Sequence, residues 1–170
     1  HPVGCAKYIQ EQIDYVRQQG AIHNGPKRVL VVGASTGYGL SSRIVSAFGC
    51  GAGTMGVFFE KESENGRTAT AGWYNSVAFE EKAGKEKLYA RSFNGDAFSD
   101  EMKEKVIQAI KQDWGTVDLL IYSLASPRRQ HPRTGVLAKS VLKPIGRDYT
   151  NKSLDLTTNE MQMVSLPPAT

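Results

Sequence analysis

The fold is decided by residues 29–39, which read VLVVGASTGYG. The continuous apolar run that opens this stretch predicts a strand buried on both faces. Three glycines, Gly33, Gly37 and Gly39, follow at once, and a helix-forming stretch occupies residues 40–48. A strand, a glycine-bearing turn and a helix in this order are typical of the first crossover of a parallel α/β sheet.

The glycine turn has a spacing that favours one class of ligand. Such a turn brings backbone N–H groups and a helix amino terminus against a pyrophosphate, and a Cβ at the glycine positions holds the phosphate away. The spacing is G-x-x-x-G-x-G and lacks the G-K-[ST] ending of a mononucleotide P-loop, so a dinucleotide is preferred over ATP or GTP. The alternative is a tight strand-to-helix turn whose glycines serve packing alone.

Strands and helices alternate along the chain, which predicts a Rossmann-like doubly wound parallel sheet, an α/β fold. An amphipathic helix precedes the sheet, and Ser99 is expected to cap the last helix. The predicted helices cover residues 4–20, 40–48, 71–85 and a stretch that begins after Ser99 and ends at Gly115; the predicted strands cover residues 29–32, 55–59, 87–93 and 117–122.

The pattern changes beyond Pro127. Residues 136–145 and 153–166 alternate apolar and polar side chains like short antiparallel strands, which predicts an appended small β-hairpin. We therefore expect two parts, a dinucleotide-binding part with its amino-terminal helix over residues 1–126 and a basic hairpin segment over residues 127–170.

Composition and charge exclude several classes of protein. The chain has 170 residues, 40% hydrophobic and 22% charged, which excludes a disordered or fibrous protein. No apolar run approaches the roughly 20 residues of a membrane helix. The net charge of +4 is concentrated between residues 127 and 152, where seven basic residues face the single acid Asp148. A local partner with phosphates or carboxylates is favoured over a general nucleic-acid surface, and a solvated loop remains the alternative.

The cysteines and histidines predict neither a disulfide framework nor a metal site. Cys5 and Cys50 are far apart and outside any Cys-x-x-Cys spacing, and the three histidines lack partners at ligand spacing. Two thiols of this kind are expected in a reducing compartment, so we expect a cytoplasmic protein. The chain opens at His1 without a signal peptide, and we expect that its start has been trimmed.

Further candidate site residues follow the other predicted strands. Glu60 closes the second strand, where a carboxylate accepts hydrogen bonds from the adenosine ribose and repels a 2′-phosphate, which favours NADH over NADPH. Lys61 and Arg67 lie close by and leave the opposite preference open, as does a structural role for Glu60 as a surface acid. Asp96 follows the third strand, where it accepts from an adenine amino group or serves as a turn residue.

The two remaining candidates are small residues at strand ends. Ala97 follows the third strand, and the segment from Ser123 to Ser126 follows the fourth. The carboxyl ends of parallel strands border the ligand crevice of a doubly wound sheet, so both segments are expected beside the adenine and the nicotinamide ribose. Ala125 permits a close approach of the backbone to the ligand.

These residues together give a resemblance to a known family. The chain resembles the trans-2-enoyl-ACP/enoyl-CoA reductases of the FabV type, which belong to the short-chain dehydrogenase/reductase superfamily. The resemblance rests on blocks that run over almost the whole chain, namely HPVGC (1–5), VVGASTGYGLSSRI (31–44), GVFFEK (56–61), TAGWYN (70–75), NGDAFSDEMK (94–103), VDLLIYSLASPRR (117–129), HPRTG (131–135) and LKPIG (142–146).

The resemblance implies an activity and a set of cofactor contacts. The activity is NADH-dependent reduction of the carbon–carbon double bond of an enoyl thioester, carried by CoA or by acyl carrier protein, in fatty acid synthesis. The implied contacts are Gly33, Ala34, Ser35, Thr36, Gly37 and Tyr38 for the pyrophosphate, Phe59 and Glu60 for the adenosine ribose, Asp96 and Ala97 for adenine, and Leu124 and Ala125 on the nicotinamide side. Neither a nucleic-acid partner nor a membrane span is expected, and the oligomeric state is left open.

The sequence departs from the family in one respect. Family members are more than twice as long and use a Tyr-x₈-Lys pair as proton donor and cofactor-positioning lysine. None of the seven tyrosines has a lysine nine positions on. We therefore expect this chain to be the amino-terminal, cofactor-binding part of such a reductase, inactive alone and without catalytic residues of its own. The alternatives are another short-chain-type ketoacyl or hydroxyacyl oxidoreductase and a non-catalytic dinucleotide-binding module.

Overall fold

The computed structural model describes residues 1–139 and 143–169. It divides the chain into two compact units, one formed by His1–Ala125 with Gln130–Val136 and the other by Ser126–Arg129 with Leu137–Thr170. Across the described residues, no helix combines the length and the apolar character that a bilayer crossing requires.

The first unit is a parallel sheet with helices on both faces. Its elements are α1 (Pro2–Gln18), β1 (Arg28–Val32), α2 (Gly37–Ile44) with a following π-helical turn (Val45–Gly49), β2 (Gly53–Phe58), α3 (Ala71–Lys85), β3 (Ala90–Asn94), α4 (Asp100–Asp113) and β4 (Leu119–Tyr122). The strand order is β3-β2-β1-β4, and all three strand pairs are parallel. The order reverses between β1 and β4, which is where ligands bind in sheets of this kind.

Alternating side chains of β1 bury both faces of the sheet, as its apolar run predicts. Val29 and Val31 are fully buried in one cluster with Phe58. The intervening Leu30 and Val32 pack on the opposite face against the cluster that α4 completes. This alternation explains why residues 29–32 are all apolar.

The helices follow the predicted pattern closely. Ile9, Ile13 and Val16 form the buried stripe of α1 and pack with α2 and α3 in one cluster. The hydroxyl oxygen of Ser99 accepts a hydrogen bond from Met102 N at 3.1 Å, so the predicted cap of α4 is confirmed. The third strand begins at Ala90 instead of residue 87. Lys87 has a φ of +59° and Leu88 N donates to Ala83 O at 2.9 Å, so these two residues belong to the turn that ends α3.

The second unit contains the appended hairpin, but its strands differ from the prediction. The antiparallel pair is β7 (Tyr149–Asp155) with β8 (Glu160–Leu166), so the predicted strand over residues 153–166 contains the turn. Asp155 causes this break: its carboxylate accepts from Thr157 N at 2.8 Å and Thr158 N at 3.4 Å, and Asn159 has a φ of +58°.

The predicted strand over residues 136–145 is much shorter in the structure. It is represented by β6 (Leu137–Lys139), which forms a two-stranded sheet with β5 (Arg128–Gln130). Residues 140–142 of the predicted strand lie outside the described residues.

Candidate functional site

The three glycines of the turn have different structural roles. A Cβ on Gly33 would lie 2.1 Å from the carbonyl oxygen of Ser123, and a Cβ on Gly39 would lie 1.9 Å from the carbonyl oxygen of Gly33. Both glycines are therefore required by packing between the turn, β4 and α2. Gly37 is different, because a Cβ there meets no described atom within 4 Å. Close packing therefore explains why positions 33 and 39 are glycine, whereas Gly37 faces open space.

Gly37 lies where α2 presents its amino terminus. The preceding residue Thr36 is extended, with φ −149° and ψ 172°, and its carbonyl accepts from Leu40 N at 3.2 Å. In the described chain the Thr36 side chain makes no capping hydrogen bond. The first N–H groups of a helix have no partner within the helix, so those of Gly37 and Tyr38 can bind an anionic group.

The outer part of the turn is exposed and its inner part is held by the sheet. Tyr38 is 89% exposed, whereas Ala34 is fully buried and Ser35 is 6% exposed. The N–H groups of Gly33 and Ala34 donate to Val57 O at 2.8 and 3.0 Å. These bonds fix the turn against β2, so the exposed residues project from a rigid base.

Glu60 reaches back to the glycine turn. The hydroxyl of Ser35 donates to its Oε1 at 2.5 Å. Within residues 1–139, neither Lys61 nor Arg67 forms an ion pair with it. A carboxylate placed beside the glycine turn is in the position that the sequence predicts for a ribose-binding group. Its neighbour Phe59 is 78% exposed at the same edge of the sheet.

The backbone of Glu60 is held by a residue that sequence analysis missed. Asn94 ends β3; its Oδ1 accepts from Glu60 N at 2.8 Å and its Nδ2 donates to Glu60 O at 3.0 Å. A second amide, Asn75 of α3, is 5% exposed and donates to Ser35 O at 3.2 Å. The sequence carries only a weak signal for either one, namely an amide at a strand end and an amide on the buried face of a helix.

Asp96 serves as a turn residue in the structure. Its Oδ1 accepts from Phe98 N at 2.8 Å, and its carbonyl accepts from Ser99 N at 3.1 Å and from the Ser99 hydroxyl at 2.8 Å. These bonds lead the chain into α4. Ala97 packs against the cluster that contains Val57. The predicted contact of both residues with adenine stays a prediction.

The end of β4 comes close to the glycine turn, as expected. Ser123 N donates to Val32 O at 2.8 Å. The Cδ2 atom of Leu124 lies 3.3 Å from the position that a Cβ on Gly33 would take. Leu124 is half-buried and Ala125 is exposed. The structure thus brings the predicted nicotinamide-side residues to the first strand, where the strand order reverses.

A buried arginine, which the sequence analysis did not predict, connects α2 with β2 and β3. Arg43 of α2 is fully buried, donating from Nε to Thr54 Oγ1 at 3.2 Å, from Nη1 to Ser92 Oγ at 2.9 Å and from Nη2 to Arg91 O at 3.1 Å. Its guanidinium lies 4.4 Å from the centre of the Phe79 ring. Burial lowers the pKa of Arg43 to about 10, so it remains charged at neutral pH.

Other kinds of site are not apparent in the described residues. Across residues 1–139 and 143–169, no three His, Cys, Asp or Glu side chains are grouped closely enough to hold a metal ion. Cys5 and Cys50 are half-buried free thiols.

The strand order and the glycine turn define a Rossmann-like α/β protein. Residues 1–65 match the family model of the NAD(P)H-binding domain of trans-2-enoyl-CoA reductase, and residues 67–170 match that of the trans-2-enoyl-CoA reductase catalytic region. The chain belongs to the trans-2-enoyl-CoA reductase family. The resemblance stated from the sequence is thereby confirmed.

Curated relatives extend the match to the whole of this chain. It is 62% identical over 170 residues to an NADH enoyl-[acyl-carrier-protein] reductase of Opitutus terrae, covering 100% of this chain and 43% of the relative. It is 58% identical over 171 residues to an enzyme of the same name from Coxiella burnetii, covering 100% of this chain and 42% of the relative. The chain thus spans less than half the length of these relatives.

Solved structures share the fold. The trans-2-enoyl-CoA reductase of Treponema denticola in complex with NAD is 47% identical with a TM-score of 0.88, over 100% of this chain and 44% of that one. The trans-2-enoyl-CoA reductase of Clostridium acetobutulicum in complex with NADH is 43% identical with a TM-score of 0.87, over 100% of this chain and 43% of that one.

Proposed function

We propose that this chain is the cofactor-binding portion of an NADH-dependent reductase that acts on the C2–C3 double bond of a trans-2-enoyl thioester in fatty acid synthesis. One observation carries the proposal. Gly37 faces open space at the amino terminus of α2, while the Glu60 carboxylate is hydrogen-bonded to Ser35 of the same turn. An anion-binding helix end with a ribose-binding acid beside it fits a dinucleotide better than a mononucleotide.

Each candidate residue has a role in this proposal. The exposed backbone from Thr36 to Tyr38 binds the pyrophosphate, since it is the part of the turn that is not packed against the sheet. Glu60 accepts from the adenosine ribose hydroxyls and repels a 2′-phosphate, and Phe59 lies beside it. The loop at Asp96 and Ala97 contacts adenine. Leu124 and Ala125 face the nicotinamide, whose reduced form supplies a hydride when the cofactor is bound.

The proton donor belongs to another part of such an enzyme. Hydride addition to the β-carbon leaves an enolate-like charge on the thioester, and protonation at the α-carbon completes the reduction. The pair Tyr-x₈-Lys that supplies this proton in the family does not occur in the sequence. Losing a general acid costs roughly 10²- to 10⁴-fold in rate, so residues 1–170 alone are expected to reduce no enoyl thioester.

The substrate carrier is proposed from chemistry that acyl carrier protein and CoA share. Both carry phosphate on the pantetheine arm, and the segment over residues 127–152 has seven basic residues against one acid. We expect attraction between them to weaken with added salt, because a Debye length of about 10 Å at 0.1 M screens exposed charges. We propose that the protein acts in the cytoplasm, without a nucleic-acid partner.

The test follows NADH oxidation with two thioesters. The natural protein at full length is expected to oxidise NADH with crotonyl-CoA and not with acetoacetyl-CoA, whereas residues 1–170 alone oxidise it with neither. Activity with acetoacetyl-CoA alone would assign the protein to ketoacyl reduction. NADH binding by a full-length protein that reduces neither thioester would favour the non-catalytic module. Turnover of crotonyl-CoA by residues 1–170 at the full-length rate would place the proton donor inside them.

A further inference from the structure

Besides Ser35, Glu60 is held by Gly72 and Asn94, two residues that the proposed function does not use. Ser35 donates to Oε1, and the described residues make no hydrogen bond to Oε2. Each oxygen of a carboxylate accepts more than one hydrogen bond, so Oε2 is the atom left to accept from a ribose hydroxyl. The direction of Oε2 therefore depends on what holds the rest of the side chain.

The first turn of α3 fits closely against this carboxylate. A Cβ on Gly72 would lie 2.0 Å from Oε1, 2.4 Å from Cδ of Glu60 and 2.9 Å from Cβ of Ser35. Any side chain at position 72 would have to displace the carboxylate, the serine or the helix. Gly72 also lies near the amino terminus of α3, where the helix dipole favours a negative charge. The helix thus limits the position of the charge as well as stabilising it.

Asn94 holds the backbone of Glu60. Phe58 is the last residue of β2 and pairs with Asn94, so Glu60 lies beyond the last ladder pair of these strands. The side-chain amide of Asn94 replaces the missing strand partner by accepting from Glu60 N and donating to Glu60 O. Asn94 therefore sets the backbone from which the carboxylate extends, although it does not contact the carboxylate itself.

We infer that Gly72 and Asn94 are positioning residues that set the preference for NADH over NADPH through Glu60. This inference rests on the proposed function. Repulsion between the carboxylate and a 2′-phosphate falls with distance, and the ribose hydrogen bonds require a fixed direction of Oε2. A displaced carboxylate loses the ribose bonds and opposes the 2′-phosphate less, which lowers the affinity for NADH relative to that for NADPH.

The experiment measures dissociation constants of NADH and NADPH in the natural protein at full length. Gly72→Ala is compared with Gly84→Ala, a matched control in the same helix where a Cβ meets no described atom within 4 Å. Gly72→Ala is expected to reduce the NADH preference by about 5- to 100-fold, the range of a partly exposed charge contact. Gly84→Ala leaves the preference unchanged.

A double-mutant cycle separates positioning from a general structural effect. In a Glu60→Ala background, Gly72→Ala is expected to change the cofactor preference no further, because the group through which it acts is absent. An unchanged preference in the single variant, or the same change in both backgrounds, would overturn the inference. Thermal unfolding of every variant checks that the fold is retained. If Gly72→Ala does not fold, Asn94→Ala is placed in the same cycle with the same expected coupling.

The outcome also distinguishes this inference from the function on which it rests. A wild-type protein that does not bind NADH contradicts the proposed function. A wild-type protein that binds NADH with a preference that ignores Gly72 and Asn94 contradicts only the inference.

Discussion

Replacing Gly37 by valine is expected to weaken NADH binding at least about tenfold while the chain remains folded. The residue has a φ of +55° and open space around its missing Cβ. A non-glycine residue in the left-handed region costs about 1–2 kcal/mol, and a β-branched one lies toward the upper end. A domain stable by roughly 5–15 kcal/mol tolerates this loss. Gly51 is a matched control, since its φ is +63° and its Cβ also meets no described atom.

The loss of NADH binding has a different cause from the loss of folding stability, and it is expected to be larger in free energy. A valine side chain occupies the space through which a phosphate approaches the N–H groups of α2. Hydrogen bonds to a charged group contribute about 1.5–3 kcal/mol each, so losing one or two weakens NADH binding by at least about tenfold. Isothermal titration gives the affinity, and circular dichroism during heating gives the stability. Gly37→Val and Gly51→Val are expected to show similar unfolding temperatures and to differ in affinity alone.

Substitution of the other two glycines of the turn is expected to reduce folding stability. Gly33→Ala brings a Cβ to 2.1 Å from Ser123 O, and Gly39→Ala brings one to 1.9 Å from Gly33 O. Backbone cannot move aside cheaply, so each is expected to lose about 3 kcal/mol or more of stability. Unchanged NADH affinity in a folded Gly37→Val variant would refute the reasoning, and so would wild-type stability in Gly33→Ala.

Three further predictions concern stability. Arg43→Met leaves the polar partners of a fully buried guanidinium unpaired and is expected to cost about 2–4 kcal/mol in urea unfolding; an unchanged midpoint would contradict this. The hydrogen bond from the Arg28 guanidinium is the main cause that lowers the pKa of Asp118 from 3.8 to about 2. The ionised carboxylate therefore stabilises the folded chain above about pH 4, and this contribution is lost as the pH falls toward 2. Asp118→Asn is expected to make the free energy of unfolding less dependent on pH over that window. Ser99→Ala removes the cap of α4 and is expected to cost about 1 kcal/mol by the same measurement, with a loss below 0.3 kcal/mol counting against the cap.

Elements with strong periodicity could be predicted from the sequence within a few residues. The helix over residues 71–85 has the bounds that were predicted, and α1 has the predicted buried stripe. These features depend on local spacing of apolar residues, which the sequence contains directly. The parallel order follows because strands joined by helices must run in the same direction.

Features that depend on one polar side chain could not be predicted. Asp155 opens a turn within an apparently continuous alternating stretch, and its role depends on which backbone N–H groups come within reach. Arg43 lies on a helix whose sequence contains both polar and apolar residues. Its partners Thr54, Ser92 and the Arg91 carbonyl are known only from the packing of the helix against the sheet. Such partners lie far apart in the sequence, so local patterns do not reveal them.

The candidate site could be predicted only in part. Its position follows from the topology of the sheet, whereas the contacts among its residues do not. The glycine turn, Glu60 and Leu124 follow β1, β2 and β4, and Asn94 ends β3. Parallel strands bring these four ends to one edge. Any dinucleotide-binding sheet of this order places residues there, so the arrangement itself does not choose a reaction. The contacts among Ser35, Glu60 and Asn94 come from individual side chains and not from strand order, and we propose that they influence which cofactor is accepted. The proposed reaction is therefore tested with the full-length protein, whereas the proposed choice between NADH and NADPH is tested by substitutions at this edge of the sheet.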